Sequence, residues 1–341
     1  MTWDISKCDE CGDCLVRCQY VDFSLEEAKD EMRKLINGEP TTIAGRCVTC
    51  GACNSYCEKG ADPFDLILQV QEKTGAFKAP DRDIAMMSAA SKMPSEIIQG
   101  QPGRPVMSLC TMGGFIPRLF EGQLFEGMTY LKGGDYFCLI GWFHVGKESP
   151  VREGAQRVVN KLAETKAEEI VFFHDDCYAL MTAKAEDYGI KVPFKPIHII
   201  EYLRDYIKDH KDRVKKLDMK VAYQPSCASR VAWRFWMDDM LDELFELIGV
   251  KRVERRYDRV NGLCCGAPLV SADRTRANEL KDRNIKDAKD AGASALVFTC
   301  PLCALNLRRR ANEAGMEPFM LSNLCRLALG EELPAGGVGK K

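Results

Sequence analysis

Long apolar runs are missing from this chain: no stretch of 18 apolar residues occurs, which excludes a membrane-spanning helix. An excess of charge of one sign is missing as well. With 48 basic and 50 acidic residues the formal net charge is -2, so no long-range field gathers a polyanion, and nucleic acid is excluded as a partner. The basic runs Lys208 to Lys220 and Arg308 to Arg310 are broken by acids or fall on a helical pattern, and both read as solvated faces. No P-loop and no G-x-G-x-x-G occurs, so no nucleotide site is expected. No apolar h-region separates Met1 from Cys8, and the expectation is a cytoplasmic protein.

Cysteine is what the chain has in excess: 17 of 341 residues, an odd number. Disulfide staples are not needed at this length, since a domain of about 150 residues already buries roughly 70% of its unfolded surface. In a reducing compartment, thiolate ligation of iron or zinc is then the expected use.

The rear of the chain concentrates five thiols. Cys227 stands alone, Cys264 and Cys265 are adjacent, and Cys300 and Cys303 form a C-x-x-C pair. Five thiols from three loops exceed the four that a tetrahedral ion or a cubane cluster takes. A larger centre or a reactive disulfide is implied. Two plainer readings compete. One packs the thiols as small apolar side chains. The other makes Cys300-Pro301-Leu302-Cys303 a metal-free thioredoxin-like pair, which leaves Cys264 and Cys265 without a role.

Two runs at the front repeat one spacing, Cys8-x2-Cys11-x2-Cys14-x3-Cys18 and Cys47-x2-Cys50-x2-Cys53-x3-Cys57. It is the spacing of bacterial two-cluster ferredoxins, in which three close cysteines hold three irons of one cubane and the fourth reaches the other cluster. On that pattern Cys8, Cys11, Cys14 and Cys57 hold one [4Fe-4S] cluster, and Cys47, Cys50, Cys53 and Cys18 hold the second. Zinc sites ordinarily join two C-x-x-C pairs from separate segments, which fits these runs less well. The proline that usually follows each fourth cysteine is Gln19 and Glu58 here.

Between the runs, Ser24-x-x-Glu27 reads as a capping box opening a helix along Leu25, Ala28, Met32, Leu35 and Ile36, stopped at Gly38. Pro63 opens a second helix through Phe64, Ile67, Leu68 and Val70. Residues 1–80 are therefore expected to be a helical module. Residues 81–104 are expected to hold a weaker helix, Asp81 to Ser95, and a Gly- and Pro-rich linker around Gln99 to Pro105. From Val106 short apolar runs alternate with amphipathic ones. Strands are expected at Val106 to Leu109, Tyr136 to Ile140, Glu169 to Phe173, Lys220 to Tyr223 and Ala295 to Phe298. Helices are expected at Arg152 to Lys166, Tyr178 to Tyr188, Ile199 to His210, Met237 to Ile248, Arg274 to Ala291 and Ala304 to Ala314. The alternation predicts an α/β domain with largely parallel sheets and cysteines at strand ends.

That domain contains a repeat. Val297-Phe298-Thr299-Cys300-Pro301-Leu302-Cys303 aligns with Val171-Phe172-Phe173-His174-Asp175-Asp176-Cys177. Cys300 lies 36 residues after Cys264, and His174 lies 36 after Cys138. This register sets Cys138 opposite Cys264, Leu139 opposite Cys265 and His174 opposite Cys300, with Cys110 as the counterpart of Cys227. Residues 105–215 are then a first, degenerate copy that keeps Cys110, Cys138 and Cys177, and residues 216–341 are an intact second copy. Pro196-Ile197-His198-Ile199 and Phe319-Met320-Leu321-Ser322 close the copies alike, which gives His198 and Cys325 structural roles. His144 reads as a packed loop residue.

At Cys227-x36-Cys264-Cys265-Gly266-x33-Cys300-Pro301-Leu302-Cys303 the chain resembles the cysteine-rich family named for its CCG signature. With the front module it resembles the C and B subunits of heterodisulfide reductase fused in one chain, an arrangement also found in the D subunit of that enzyme. The resemblance implies an α-helical two-[4Fe-4S] ferredoxin domain followed by an α/β domain of two CCG repeats, the first degenerate. It implies that Cys227, Cys264, Cys265, Cys300 and Cys303 hold a noncubane [4Fe-4S] cluster at which a disulfide is reduced or formed, in an oxidoreductase that works within a complex. Implied partners are a flavoprotein, hydrogenase or other electron-donor subunit, a membrane-anchored subunit that would hold the chain peripherally on the cytoplasmic membrane, and a small-molecule or protein disulfide. The same family includes non-catalytic electron-transfer subunits of flavin dehydrogenases and quinone-linked membrane complexes, which is the alternative. For the first repeat three outcomes are open: a further [4Fe-4S] cluster on Cys110, Cys138, Cys177 and His174, an empty site, or His174 delivering protons to a thiolate made at the second repeat.

Overall fold

The computed structural model describes residues 3–115, 117–231 and 236–333. Its front is helical: α1 (Asp13–Val16), α2 (Leu25–Ile36), α3 (Thr42–Arg46), α4 (Ala52–Tyr56) and α5 (Pro63–Thr74). The expected capping box forms, with Ser24 Oγ accepting from the Glu27 amide and the Glu27 carboxylate accepting from the Ser24 amide. Ala28, Met32 and Leu35 of α2 are buried against Leu15, Ile43, Val48, Tyr56, Ile67 and Val70. Each large apolar side chain so buried contributes about 1.5–3 kcal/mol. On the same stripe Glu31 is buried and accepts from the amides of Thr42 and Ile43 at 3.2 and 2.8 Å, which caps α3. α1 and α4 each begin after a left-handed glycine, Gly12 and Gly51, and Glu10 and Thr49 are left-handed too. The two cysteine runs therefore wrap in the same way.

α6 (Asp81–Ala90) is shorter than the helix expected there and buries no residue fully. It leads into an unexpected edge strand, β1 (Glu96–Ile98). Then follow β2 (Val106–Cys110), β3 (Thr129–Lys132), α7 (Ser149–Ala163), β4 (Glu169–Phe172) and α8 (Asp175–Ala179). A π-type turn, Leu180–Lys184, joins α8 to α9 (Ala185–Asp187), after which come β5 (Lys195–His198) and α10 (Ile199–Asp209). The second half runs β6 (Met219–Gln224), α11 (Trp236–Ile248), β7 (Val250–Arg252), α12 (Arg274–Asp290), β8 (Ala295–Phe298), α13 (Pro301–Glu313), β9 (Glu317–Met320) and α14 (Leu321–Ala328).

The sheets have the orders β1-β3-β2-β4-β5 and β7-β6-β8-β9. Every pairing is parallel except β1 with β3. Without β1, the first sheet has the strand order of the second, with β3, β2, β4 and β5 standing for β7, β6, β8 and β9. Their apolar cores merge: Met107, Val171 and Ile197 belong to one cluster with Val221, Val297 and Phe319.

One expected strand is not formed. Tyr136 to Ile140 is a buried loop between the 3-10 turns Gly134–Tyr136 and Ile140–Val145, and the strand lies earlier, at β3. Leu139 has φ 66, a left-handed conformation that no extended ladder accommodates. The apolar run is as buried as a strand but follows the core as a loop.

Candidate metal centres

Cys8, Cys11, Cys14 and Cys57 line a single cavity of about 280 Å³, with Asp9, Asp13 and Tyr56 beside them. Cys11 is exposed and Cys14 buried. Burial pushes the Cys14 thiol well above its usual range, and the charges of Cys57, Cys11 and Cys8 push it further. Cys57 thus joins the first run across the module. In the same way burial and the charge of Cys50 push Cys18 up to about 11, and Cys47 is raised by burial and by Cys50 and Cys18. Burial pushes the Cys53 thiol well up, and the charges of Cys47, Cys14, Cys50 and Cys18 push it further. Crowded thiols that resist ionisation are the donor set a metal relieves, because the metal takes the place of the protons. The Thr49 amide donates to Cys47 Sγ at 3.2 Å.

Behind this module the five rear thiols form a connected chain. Cys227 opens the turn after β6, Cys264 and Cys265 lie in the loop before α12, Cys300 caps α13 and Cys303 sits in its first turn. Hydrogen bonds from Cys264 and Cys303 lower the Cys265 thiol to about 6. A hydrogen bond from Cys303, together with the charge of His174, lowers Cys300 to about 6 despite burial. Cys227 is raised first by its contact with Cys264, and Cys303 by those with Cys265 and Cys300. Five thiols thus share their protons, and two are readily anionic near neutral pH.

The front and rear sets meet without a gap. Tyr20 Oη accepts from the buried Cys264 amide at 2.7 Å. Arg276 and Arg283 donate to the carbonyls of Tyr20 and Gln19 at 3.0 and 2.9 Å. Gln19, at the position where proline is usual, donates to Asn261 O at 2.6 Å, so the departure serves this contact. Arg230 is buried, closes the turn that Cys227 opens, and faces Gly51, the residue after Cys50.

Where the two repeats face each other, His174 Nε2 is 3.3 Å from Cys300 Sγ and Nδ1 is 3.4 Å from the Asp176 carboxylate. His198 pairs with Asp175 at 3.2 Å and accepts from the Ile200 amide, so it orders the seam, while Cys325 is buried among apolar residues. His144 packs as expected, on Thr49 Oγ1 at 2.8 Å. A cavity of about 30 Å³ lies in the seam, lined by Asp175, Tyr223, Ser229 and Arg230 among others.

In the first repeat Cys110, Cys138 and Cys177 are buried, and their Sγ atoms all lie within 4.8 Å of one another. His174 is not with them. Both its ring nitrogens are engaged at the seam, which corrects the grouping of His174 with these three. The register of the repeat is also corrected, by one residue. Leu139 is left-handed, precedes a 3-10 turn and accepts from the Trp142 amide, just as Gly266 accepts from the Leu269 amide. Cys138 therefore stands where Cys265 stands, and Phe137 where Cys264 stands. Tyr20, Arg230 and Thr49 had no signal in cysteine spacing, because each acts on a partner remote in sequence.

Comparison with known proteins supports these assignments at domain level. Residues 221–308 match the CCG cysteine-rich domain, and residues 7–62 match the 4Fe-4S dicluster domain. The chain is 26% identical over 322 residues to the D subunit of the dihydromethanophenazine:CoB--CoM heterodisulfide reductase of Methanosarcina acetivorans, covering 83% of this chain and 74% of that one. It is 21% identical to the probable iron-sulfur-binding oxidoreductase FadF of Bacillus subtilis, covering 88% of this chain but 42% of FadF. A crystal structure of a hypothetical protein from Helicobacter pylori superposes with a TM-score of 0.57 at 13% identity, over 85% of this chain and 63% of that one, and shares the fold. The chain thus carries a 4Fe-4S dicluster domain and a CCG domain, and is an iron-sulfur electron-transfer protein related to the D subunit of heterodisulfide reductase. No helix among the described residues is long and apolar enough to cross a membrane.

Proposed function

We propose that the chain carries electrons from an exposed front site to the rear five-cysteine site and there reduces, or in reverse forms, a disulfide. The observation that supports this most is the continuity of the thiol sets. Cys11 is exposed, Tyr20 of the front module accepts from the Cys264 amide, Gly51 beside Cys50 faces Arg230 in the turn that Cys227 opens, and the rear thiols hydrogen-bond to one another. The residues fit iron-sulfur clusters: Cys8, Cys11, Cys14 and Cys57 surround space for one, Cys18, Cys47, Cys50 and Cys53 would hold a second, and Cys227, Cys264, Cys265, Cys300 and Cys303 exceed a cubane's needs by one thiol. Bound there, the clusters would supply one-electron storage and an iron site for sulfur.

Cleaving a disulfide consumes two electrons and two protons and releases two thiols. His174, held by Asp176 with Nε2 on Cys300, keeps a proton at the rear set. Buried Tyr223, Thr299 and Asp175 bond to one another and wall that set from water. The first repeat does not fit a cubane, whose thiolates each sit on a different iron and so stand farther apart than these three. They suit one thiophilic ion, since zinc-sulfur bonds of about 2.3 Å set thiolates about 4 Å apart.

The electron donor would be a flavoprotein or hydrogenase that docks where Cys11 is exposed. Anaerobically reconstituted protein with an artificial donor tests the reading. Disulfide should be consumed while paramagnetic resonance reports the clusters, and loaded protein that consumes none sinks it. One observation favours the alternative of a purely electron-transferring role: the seam cavity has room for about one water. Co-purification with a flavin dehydrogenase, with no disulfide turnover, would select it.

A further inference from the structure

We infer that Arg230 is a fixed counter-charge for electrons crossing from the front module to the rear site, raising the reduction potentials of the sites on both sides of it. This rests on the proposed reading that Cys50 and Cys227 belong to cluster sites. Arg230 closes the turn that Cys227 opens and is 3% exposed. Nη2 donates to the carbonyls of Gly262 at 2.5 Å and Arg259 at 3.5 Å. Nε and Nη1 have no hydrogen-bond partner among the described residues. A buried cation without a carboxylate is costly. The first repeat shows the ordinary remedy: Lys184, fully buried, is held by Asp65 at 2.5 Å and Asp187 at 3.0 Å.

Arg230 makes no such ion pair among the described residues, and it closes the turn that Cys227 opens. Its Cβ faces Gly51, the residue that follows Cys50, so the side chain sits at the joint between the two proposed sites. Gly51 only touches the side chain, whereas Gly262 leaves it the space a Cβ would take. A Cβ on Gly51 would meet Arg230 Cβ at 3.6 Å and Cys227 O at 3.8 Å, and one on Gly262 would meet Nη2 at 2.6 Å. Each electron added to a four-thiolate site brings one more negative charge beside this cation, in surroundings too dry to screen it. The reduced forms on both sides are stabilised together, so both potentials rise while the driving force between the two sites changes little.

The test is a redox titration of the loaded protein followed by paramagnetic resonance. In Arg230→Gln the site of Cys18, Cys47, Cys50 and Cys53 and the rear site should both become harder to reduce. The reduced-to-oxidised ratio at a fixed potential should fall by at least about tenfold, or 59 mV for one electron. The site of Cys8, Cys11, Cys14 and Cys57 should not move. Arg230→Lys, which keeps the charge, should recover most of the shift. Should Arg230→Gln assemble poorly, Ser229→Asp, a counter-charge in the same cavity, should shift the same two sites the same way. Unmoved potentials in loaded protein overturn the inference, whereas signals missing from wild type would instead overturn the reading beneath it.

Discussion

The two α/β repeats have the same strand order and opposite chemistry. The second gathers five thiols at the ends of β6 and β8 and in the loop before α12, and meets the front module through Tyr20 and Arg230. The first keeps three thiols, drawn together within 4.8 Å, and gives His174 to its neighbour's site. Their buried cations differ too, Lys184 held by carboxylates and Arg230 by backbone carbonyls. On the proposed reading, one scaffold serves as a wall in one copy and as a terminus in the other. What decides between them is a handful of side chains on loops after the strands.

The largest expected effect breaks that comparison outright. Cys265→Ser should remove the rear cluster signal and lower disulfide turnover by more than about 10³-fold. Cys138→Ser, at the matching place in the first repeat, should leave both signal and turnover within a few fold, measured in the same assays. Next is the buried cation of the first repeat. Asp65→Asn takes a buried carboxylate from Lys184 and should cost about 3–5 kcal/mol, read as a lower denaturation midpoint, while the added change Lys184→Met should recover most of it. Tyr20→Phe strands the Cys264 amide in the interior. A loss of about 1–3 kcal/mol is expected, with less iron retained at the rear and full loading at the front. The smallest effect concerns the turn both copies share. Gly266→Ala forces a side chain into φ 80 with its Cβ 3.1 Å from Ala277 O, and should cost about 1–2 kcal/mol of thermal stability.

The spacing of the front runs anticipated that Cys57 would join Cys8, Cys11 and Cys14 around one cavity, because the two runs repeat the same short offsets. Of the helices in residues 13–74, α2 followed from a capping box and a regular apolar stripe and α5 from a proline at its first turn, while the short α1, α3 and α4 gave no such signal. The strand placed on Tyr136 to Ile140 failed because a buried loop is as apolar as a buried strand. Leu139, the residue that breaks the ladder, is not a type that announces a left-handed turn. The repeat register failed by one for a related reason. His174 follows Leu139 by 35 residues and Cys300 follows Gly266 by 34, so counting back from the C-x-x-C pair slides past the turn that fixes the correspondence. Arg230 and Tyr20 could not be foreseen, because each is defined by contact with a cysteine from the other end of the chain.

The phenol of Tyr20 has a consequence for how the molecule works over many turnovers. A side chain from the ferredoxin-like end is planted inside the other end's core, so the halves cannot swing apart and reclose like a hinged carrier. Charge must cross a joint that stays shut. The pace of transfer would then depend on the driving force across a fixed gap and hardly at all on the viscosity of the medium.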